Sequence, residues 1–437
     1  MLDGFTGEIL TADSTDYETA ATSFGTVGSP RLVVRPTTTD DVAKAVGYAK
    51  AEGLALSVRS GGHTPFSTNE GGIIVDLAGI RDIEVLGGGM VRIGSGAVWG
   101  DVAQALQPHG LALSSGDTFS VGVGGLTIGG GIGWMVRQNG LALDSLIEAE
   151  VVLASGSIVT ANTSSEPELY WALRGGGGNF GVVTRFTFQA QPLPGVVAGS
   201  IQVDPGALAQ NLRQWRDIMR ASPEQLGSTF AAFPAFGPEM PPTSQLLVCY
   251  GDDDVDAAMA AIQPLIEMPG VIGHDIRPKA YADMLEDPPR PGRSITVVDN
   301  NTFADDFTDE LIENLSAAHA EFGAAVLMIR YLRGALNRVA TDATAFAHRG
   351  AEVLIISAAF LMPDADADAT ADAEAKIRSR WAELAVHTTG IYGNFTPRAN
   401  AAVLELMFPS ATADRLRAAK RHYDPENLFN QNQNIVP

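Results

Sequence analysis

The sequence predicts an α+β protein of two domains, the second built on an antiparallel sheet flanked by helices. Three observations carry this. The chain has 437 residues, more than the roughly 250–300 at which a single core stops growing. A proline-spaced stretch, Gln191-Pro192-Leu193-Pro194-Gly195, divides it. Before that stretch, short strands alternate with glycine-dense loops, whereas over 196–390 strand pairs alternate with amphipathic helices. Domains at 1–195 and 196–390 follow.

Taken in order, Thr38 to Asp41 offer capping oxygens, Val42, Ala45, Val46 and Ala49 recur at helical spacing, and Gly53 closes that helix. Residues 54–58 read as a buried strand running into Arg59-Ser60-Gly61-Gly62-His63-Thr64, and 73–77 as the next strand. A strand at 91–93 and a helix at 98–106 lead to the densest glycine region, 122–133, against whose bare backbone something must lie. A hairpin around Gly156, a helix at 168–174 and a strand at 182–188 complete the first domain. In the second, helices at 208–219, 259–267 and 309–319 flank strands at 245–250, 325–331 and 353–360. A short segment at 391–395 then leads through 404–408 to a helix at 412–421.

Composition excludes several function classes. Hydrophobic residues make up 45% and charged residues 18%, enough apolar material for packed cores throughout. A net charge of -22 repels nucleic-acid backbones and anionic membrane surfaces. The single cysteine, Cys249, lies in an apolar run and reads as a buried strand thiol, which suits a reducing compartment. The acidic N-terminus does not resemble a secretory signal, and no apolar run approaches the ~18 residues of a spanning helix, so a cytoplasmic location is expected.

Several motifs fall away on chemistry. Gly176-Gly-Gly-Asn-Phe-Gly181 satisfies G-x-G-x-x-G, but it follows a helix and precedes a strand, the reverse of a Rossmann site. Asp364, Asp366 and Asp368 are spaced like a calcium loop, yet its glycine and glutamate places hold Ala369 and Ala375. A helix start after Pro363 fits better, and Asp252 to Asp254 likewise read as a helix cap. The histidines show no metal-ligand spacing and no G-x-S-x-G elbow occurs, so no metal and no hydrolase is expected. What remains are two glycine-rich stretches, 60–64 and 122–133, whose successive N–H groups can form anion-binding concavities. Either alone reads equally as a tight turn; the pair in one domain points to a cofactor, with His63 beside Gly61-Gly62 as a candidate functional imidazole.

The segments VRSGGHT at 58–64, SVGVGGLTIGGGIG at 120–133, LYWALRGGGGNFGVVT at 169–184, YGNF at 392–395 and YDPENLFNQNQNI at 423–435 together resemble one family. It is the berberine-bridge-enzyme-like branch of the vanillyl-alcohol-oxidase flavoproteins, especially its bacterial members. The resemblance implies a PCMH-type FAD-binding domain over 1–195, a substrate-binding domain over 196–390, and a segment 391–437 that returns to the FAD domain. It implies an FAD bonded through its 8α-methyl carbon to His63. Relatives with a second bond carry a cysteine where this chain has Thr118, so a single link is expected. That departure favours relatives similar to the 6-hydroxynicotine oxidases and antibiotic-tailoring oxidases over oligosaccharide oxidases.

By the same resemblance Arg59, Ser60, Gly61 and Gly62, followed by Thr64, wrap the pyrophosphate. Asp117, Thr118, Gly122, Gly124, Gly125, Gly129, Gly131 and Gly133 border the flavin and ribityl chain, and Val183 lies near the adenine. Asn394, Asn430 and Asn432 match polar positions near the isoalloxazine. Val121 matches the place where a small residue admits oxygen, with strand packing as the alternative. Tyr392 matches the catalytic tyrosine, acting as base or, for a neutral amine, only as an orienting group. Tyr331, with Arg333 near it, is a substrate-pocket candidate whose ordinary reading is a sheet residue. The loop Thr-Pro-Phe-Ser-Thr after His63 lacks the glycine that relatives place there. The implied activity is hydride transfer from a small organic alcohol or amine to FAD, with O2 reduced to hydrogen peroxide. The alternatives are a dehydrogenase using another acceptor, a carbohydrate oxidase, and a flavin-binding protein without turnover.

Overall fold

The computed structural model describes residues 2–437 apart from 24, 236, 238, 288–295 and 362–366. Two sheets occupy the N-terminal part. The first orders Glu8–Leu10, Leu32–Arg35, Ile73–Asp76 and Leu56–Arg59, the last three parallel. The helix Thr39–Glu52 is the crossover between Leu32–Arg35 and Leu56–Arg59, the parallel strands on either side of Ile73–Asp76. Thr38 caps it by accepting the Asp41 N–H, and Gly53 ends it at φ +63°, a conformation glycine adopts without Cβ strain. The second sheet is antiparallel: Ile158–Ala161, Leu146–Val152, Val182–Gln189, Met90–Gly94 and Ile83–Gly87. Phe186 and Phe188 face Trp99 and Leu106 of the helix Trp99–Leu106 in one fully buried cluster.

From Val196 the chain builds a seven-stranded antiparallel sheet in the order Val271–Lys279, Val196–Val203, Thr243–Tyr250, Leu226–Phe233, Ala325–Tyr331, Val353–Leu361 and Thr296–Ala304. Helices Leu208–Ala221, Val255–Ile266 and Asp309–Glu321 bury one face of it, with Trp215 wedged edge-on against Phe230, Phe307 and Tyr331. The opposite face looks towards the N-terminal sheets. Cys249 is buried in its strand, where burial pushes the thiol up to about 12, so it is chemically inert.

One element differs from the sequence expectation. The glycine-rich 122–133 contains a helix, Val123–Gly129, although each interior glycine costs about 1 kcal/mol relative to alanine. Tertiary bonds hold it: Val123 N–H donates to Ala97 O at 2.9 Å, and Gly124 N–H reaches Ser95 O and Ser60 Oγ, each at 3.2 Å. Residues 404–407 belong to a further short helix, Ala401–Met407, whose N-terminus Asn400 caps by accepting the Val403 N–H. Asp254 caps its helix as expected. Asp364 and Asp366 lie outside the described residues, ahead of the helix Ala367–Ala382.

After the large sheet the chain returns to the N-terminal region through the helix Ser410–Tyr423. Its anchor is Lys420, fully buried, whose ammonium donates to Asn179 O at 2.8 Å, Asp424 Oδ2 at 2.7 Å and Phe429 O at 2.9 Å. All three hydrogens are used, joining the glycine loop before the 182–189 strand to the C-terminal tail. Removing one member of a buried pair strands the other charge, at a cost of roughly 3–5 kcal/mol. Lys420→Met is therefore expected to lower the thermal midpoint by several degrees and to expose the 424–437 tail to limited proteolysis. An unchanged midpoint in circular dichroism would contradict this account of the clamp.

Candidate active site

The loop 59–64 and the segment 120–124 lie backbone against backbone. A Cβ on Gly61 would overlap the Gly122 amide, and one on Gly122 would overlap Ser60 and the Gly61 amide. Ser60 ties them, its hydroxyl donating to Ser95 O at 2.6 Å and accepting the Gly124 N–H. Gly62 sits at φ +72°. Arg59 turns inward, donating to Ala20 O and to Ser67 O, so its guanidinium braces the loop from beneath instead of contributing to a pyrophosphate wrap at the glycine surface. Thr64 caps the short turn Pro65–Ser67. His63, half-buried, places Nε2 2.8 Å from Ser120 Oγ, and Ser120 in turn meets the Asp287 carboxylate.

Seven residues further, about 10 Å along the 123–129 helix, a second cluster forms. Gly131 N–H and Asn394 Nδ2 both donate to the Tyr392 hydroxyl, at 2.8 and 2.9 Å. Asn394 also donates to Leu126 O and lies against Gly129, where a Cβ would strike its side-chain oxygen. Burial pushes Tyr392 up to about 12, opposed by the N–H groups of Gly131, Asn394 and Ile132 and by the Arg330 charge. Asn301, on the large sheet, holds this turn. It accepts Tyr392 N–H at 2.7 Å and donates to Phe395 O and Thr396 Oγ1. Sequence reasoning misses Asn301, because a lone asparagine in a strand carries no signal of its partner 91 residues away.

The large sheet supplies the third wall. Strand alternation puts Arg330 and Tyr331 on opposite faces. Tyr331, expected in the substrate pocket, instead packs into the helix-covered core beneath Arg137, its hydroxyl on buried Glu352. Arg330 is the residue that faces the N-terminal region, pairing with Asp117 and donating to Ile132 O and Thr229 Oγ1. In the next register row Met328 opposes Ile356, and Ile356 opposes Asn301. Met328 and Ile356 are half-exposed, and Ile356 packs against the cluster that contains Tyr392. An apolar floor thus runs beside the tyrosine, with one cation at its border.

A family model described as FAD binding domain matches residues 30–162, and one described as berberine and berberine like matches residues 405–436. The (R)-6-hydroxynicotine oxidase of Paenarthrobacter nicotinovorans is 30% identical to this chain, over 99% of it and 97% of its own length. The chain belongs to the berberine-bridge-like FAD-linked oxidoreductases. The crystal structure of 6-hydroxy-D-nicotine oxidase from Arthrobacter nicotinovorans superposes with a TM-score of 0.86 at 27% identity, covering 100% of this chain and 99% of that one. A glucooligosaccharide oxidase from Acremonium strictum, described with 6-S-cysteinyl, 8α-N1-histidyl FAD, shares the fold at a TM-score of 0.82 and 22% identity, covering 100% and 98%.

As an FAD-linked oxidoreductase the chain offers a cradle of fitting chemistry. A Cβ on Gly125 would meet nothing within 4 Å, so the helix start is open to a ligand. The Oδ1 atoms of Asn432 and Asn434 are buried without a partner, acceptors suited to the N–H and O–H groups of FAD. Asn432 Nδ2 meanwhile donates to Gly178 O, and Asn430 is bonded within its own turn to Asn427 O. Thr118 and Val121 are half-buried beside His63's partner Ser120; Val121 O accepts the Trp99 N–H. Gly133 lies against the Ser115 and Gly116 carbonyls. Val183 is buried in the second sheet opposite Val151. Among the described residues no group of His, Cys, Asp or Glu is arranged to hold a metal ion, and no helix is long and apolar enough to cross a membrane.

Because Asn301 accepts the Tyr392 N–H and donates to Phe395 O and Thr396 Oγ1, Asn301→Ala removes one acceptor and two donors and leaves buried groups unpaired, at about 1–3 kcal/mol. The expected outcome is a slower reduction of the flavin with little change in substrate affinity, read by anaerobic stopped flow. Loss of affinity at unchanged rate would mean that the turn does not depend on Asn301.

Proposed function

We propose that this oxidoreductase carries FAD on His63 through a single bond and oxidises a small, largely apolar amine or alcohol, with O2 as acceptor and hydrogen peroxide as product. When bound, FAD accepts the hydride; the protein's residues position the substrate and manage its proton. The observation that carries the reading is the Tyr392 hydroxyl, fixed by two N–H donors beside the apolar Met328–Ile356 floor. The floor supports an apolar substrate over a sugar, since Met328 and Ile356 offer its hydroxyls no hydrogen-bond partner. Thr118, which cannot form a cysteinyl bond, supports a single link. Val121, half-buried beside Ser120, supports access of oxygen.

Within this reading an amine is favoured over an alcohol. With its hydroxyl pushed up to about 12 by burial, Tyr392 is a phenol at neutral pH. It can orient a neutral amine through a hydrogen bond, while taking a proton from an alcohol would require it to ionise first. Oligosaccharide oxidation is the second reading, favoured by the glucooligosaccharide oxidase of like fold.

Acid precipitation of the purified protein is expected to leave yellow flavin in the pellet, and His63→Ala to move it to the supernatant. Flavin that stays in the pellet in that variant would assign the anchor elsewhere. Tyr392→Phe should slow anaerobic flavin reduction by an amine at least about tenfold. The wild-type rate should follow the amine's own ionisation and show no further rise towards pH 11. A continued rise there, lost in Tyr392→Phe, would establish the tyrosine as a base. Reduced enzyme that does not reoxidise in air would exclude the oxidase in favour of a dehydrogenase, and reduction by oligosaccharides alone would favour the second reading.

A further inference from the structure

We propose that Ser120 and Asp287 are positioning residues for His63. They keep the ring proton on Nε2, so that Nδ1 forms the bond to the flavin, and they take that proton away as the bond forms. The proposal rests on the reading of His63 as the attachment point.

The argument begins with a count of hydrogens. A serine hydroxyl has one to give. Asp287 Oδ1 stands 2.6 Å from Ser120 Oγ and also accepts the Ser120 N–H at 3.0 Å. A carboxylate can only accept, so the hydroxyl hydrogen points to Asp287 and the serine lone pairs point away from it. His63 Nε2 lies 2.8 Å away on Ser120 Oγ. Facing a lone pair, that nitrogen must carry the hydrogen. A neutral imidazole carries only one, so the lone pair belongs to Nδ1. The carboxylate makes the Ser120–Asp287 link stronger than a neutral hydrogen bond.

The relay is assembled across the fold. His63 follows the first glycine pair, Ser120 precedes the second, and Asp287 lies 167 residues beyond Ser120. Its segment is docked by Glu286 N–H on Asp117 O at 3.2 Å, and Asp117 is the residue paired with Arg330. Asp287 is exposed, so a proton that reaches it passes to water.

The chemistry closes on this arrangement. Nδ1 gives its lone pair to the 8α carbon, a C–N bond forms and that carbon loses one hydrogen as a proton. Two electrons enter the flavin ring and are passed to O2. The imidazole would be left as a cation but for its Nε2 hydrogen, which leaves along Ser120 to Asp287. Dioxygen takes up two electrons and two protons in all, one from the methyl group and one from the imidazole, and departs as hydrogen peroxide. A ring with the opposite tautomer would present an N–H to the carbon and could not react.

The test uses full-length protein from riboflavin-starved cells, mixed with FAD in air and quenched in acid at intervals. Acid-stable yellow colour should appear with time in the wild type. Ser120→Ala and Asp287→Asn should slow its appearance at least about tenfold, with reversible FAD uptake retained, and Ser120→Thr should restore it. Attachment at the wild-type rate in both Ser120→Ala and Asp287→Asn would overturn the relay. So would a flavin peptide, released by proteolysis, that carries the bond on Nε2 by NMR. A wild type that never becomes acid-stable would remove the attachment itself, and the relay with it. That outcome differs from normal attachment that ignores the two substitutions.

Discussion

The site depends on one close approach, the backbone of Gly61 against that of Gly122. No side chain fits between them, since a Cβ on either residue would occupy the other segment's amide. The contact lets a single hydroxyl, that of Ser60, reach both Ser95 O and the Gly124 N–H. It sets the start of the 123–129 helix, and His63 and Ser120 stand on its two sides. The same helix delivers Gly129 and Gly131 to Asn394 and Tyr392. His63 and Tyr392 thus stand at the two ends of one short rigid element. A shift at the glycine contact would move both.

Around this element the protein turns many of its cations inward. Lys420 is buried on Asp424, and Arg349 on Asp144. Arg137 donates to the carbonyls of Met219, Ser222, Pro223, Leu226 and Arg333. Arg330 and Arg220 face Asp117 and Glu352. Burial works against ionised Glu352, but hydrogen bonds from Arg220 and the Phe307 N–H outweigh it and hold its carboxyl below the usual range. The Arg330–Asp117 and Arg349–Asp144 pairs, with the Arg137 bonds, tie the large-sheet region to the N-terminal part. They also withdraw positive charge from the surface of a chain that already carries -22. Neutral and cationic substrates are therefore electrostatically favoured over anionic ones on approach, the same direction in which the apolar floor and the phenolic state of Tyr392 point.

How much of this was legible in the sequence depended on whether the signal was local. The helix Thr39–Glu52 was readable because its cap, its 3.6 period and its closing glycine all lie within one window. The helix Val123–Gly129 was not, because glycine disfavours it and the groups that hold it, Ala97, Ser95 and Ser60 among them, lie outside its own window. The edge strand Val271–Lys279 escaped notice because it is largely exposed, carries charge and ends near Pro278. In the site, motif resemblance picked out His63, Tyr392 and Asn394, which stand in the two clusters. It could not supply Ser120's partner Asp287, or Asn301 under Tyr392, since those contacts exist only after two sheets have docked. For Tyr331 the expected face differs from the observed one by one residue. Alternation gave the site Arg330 and gave the core Tyr331.

That one-residue difference bears on the chemistry. A tyrosine at the pocket wall would have offered a second hydroxyl; an arginine offers a fixed charge held by Asp117, Ile132 O and Thr229. Its field favours the ionised form of Tyr392, as do the surrounding N–H groups, yet burial prevails and the group remains a phenol at neutral pH. The balance is set by desolvation, so anything that dries the site further pushes it the same way. A substrate settling on Met328 and Ile356 would do so. Substrate binding would thus strengthen the tyrosine's hold on its own proton, which favours a substrate that need lose no proton as its hydride leaves, such as a neutral amine, which becomes an iminium ion.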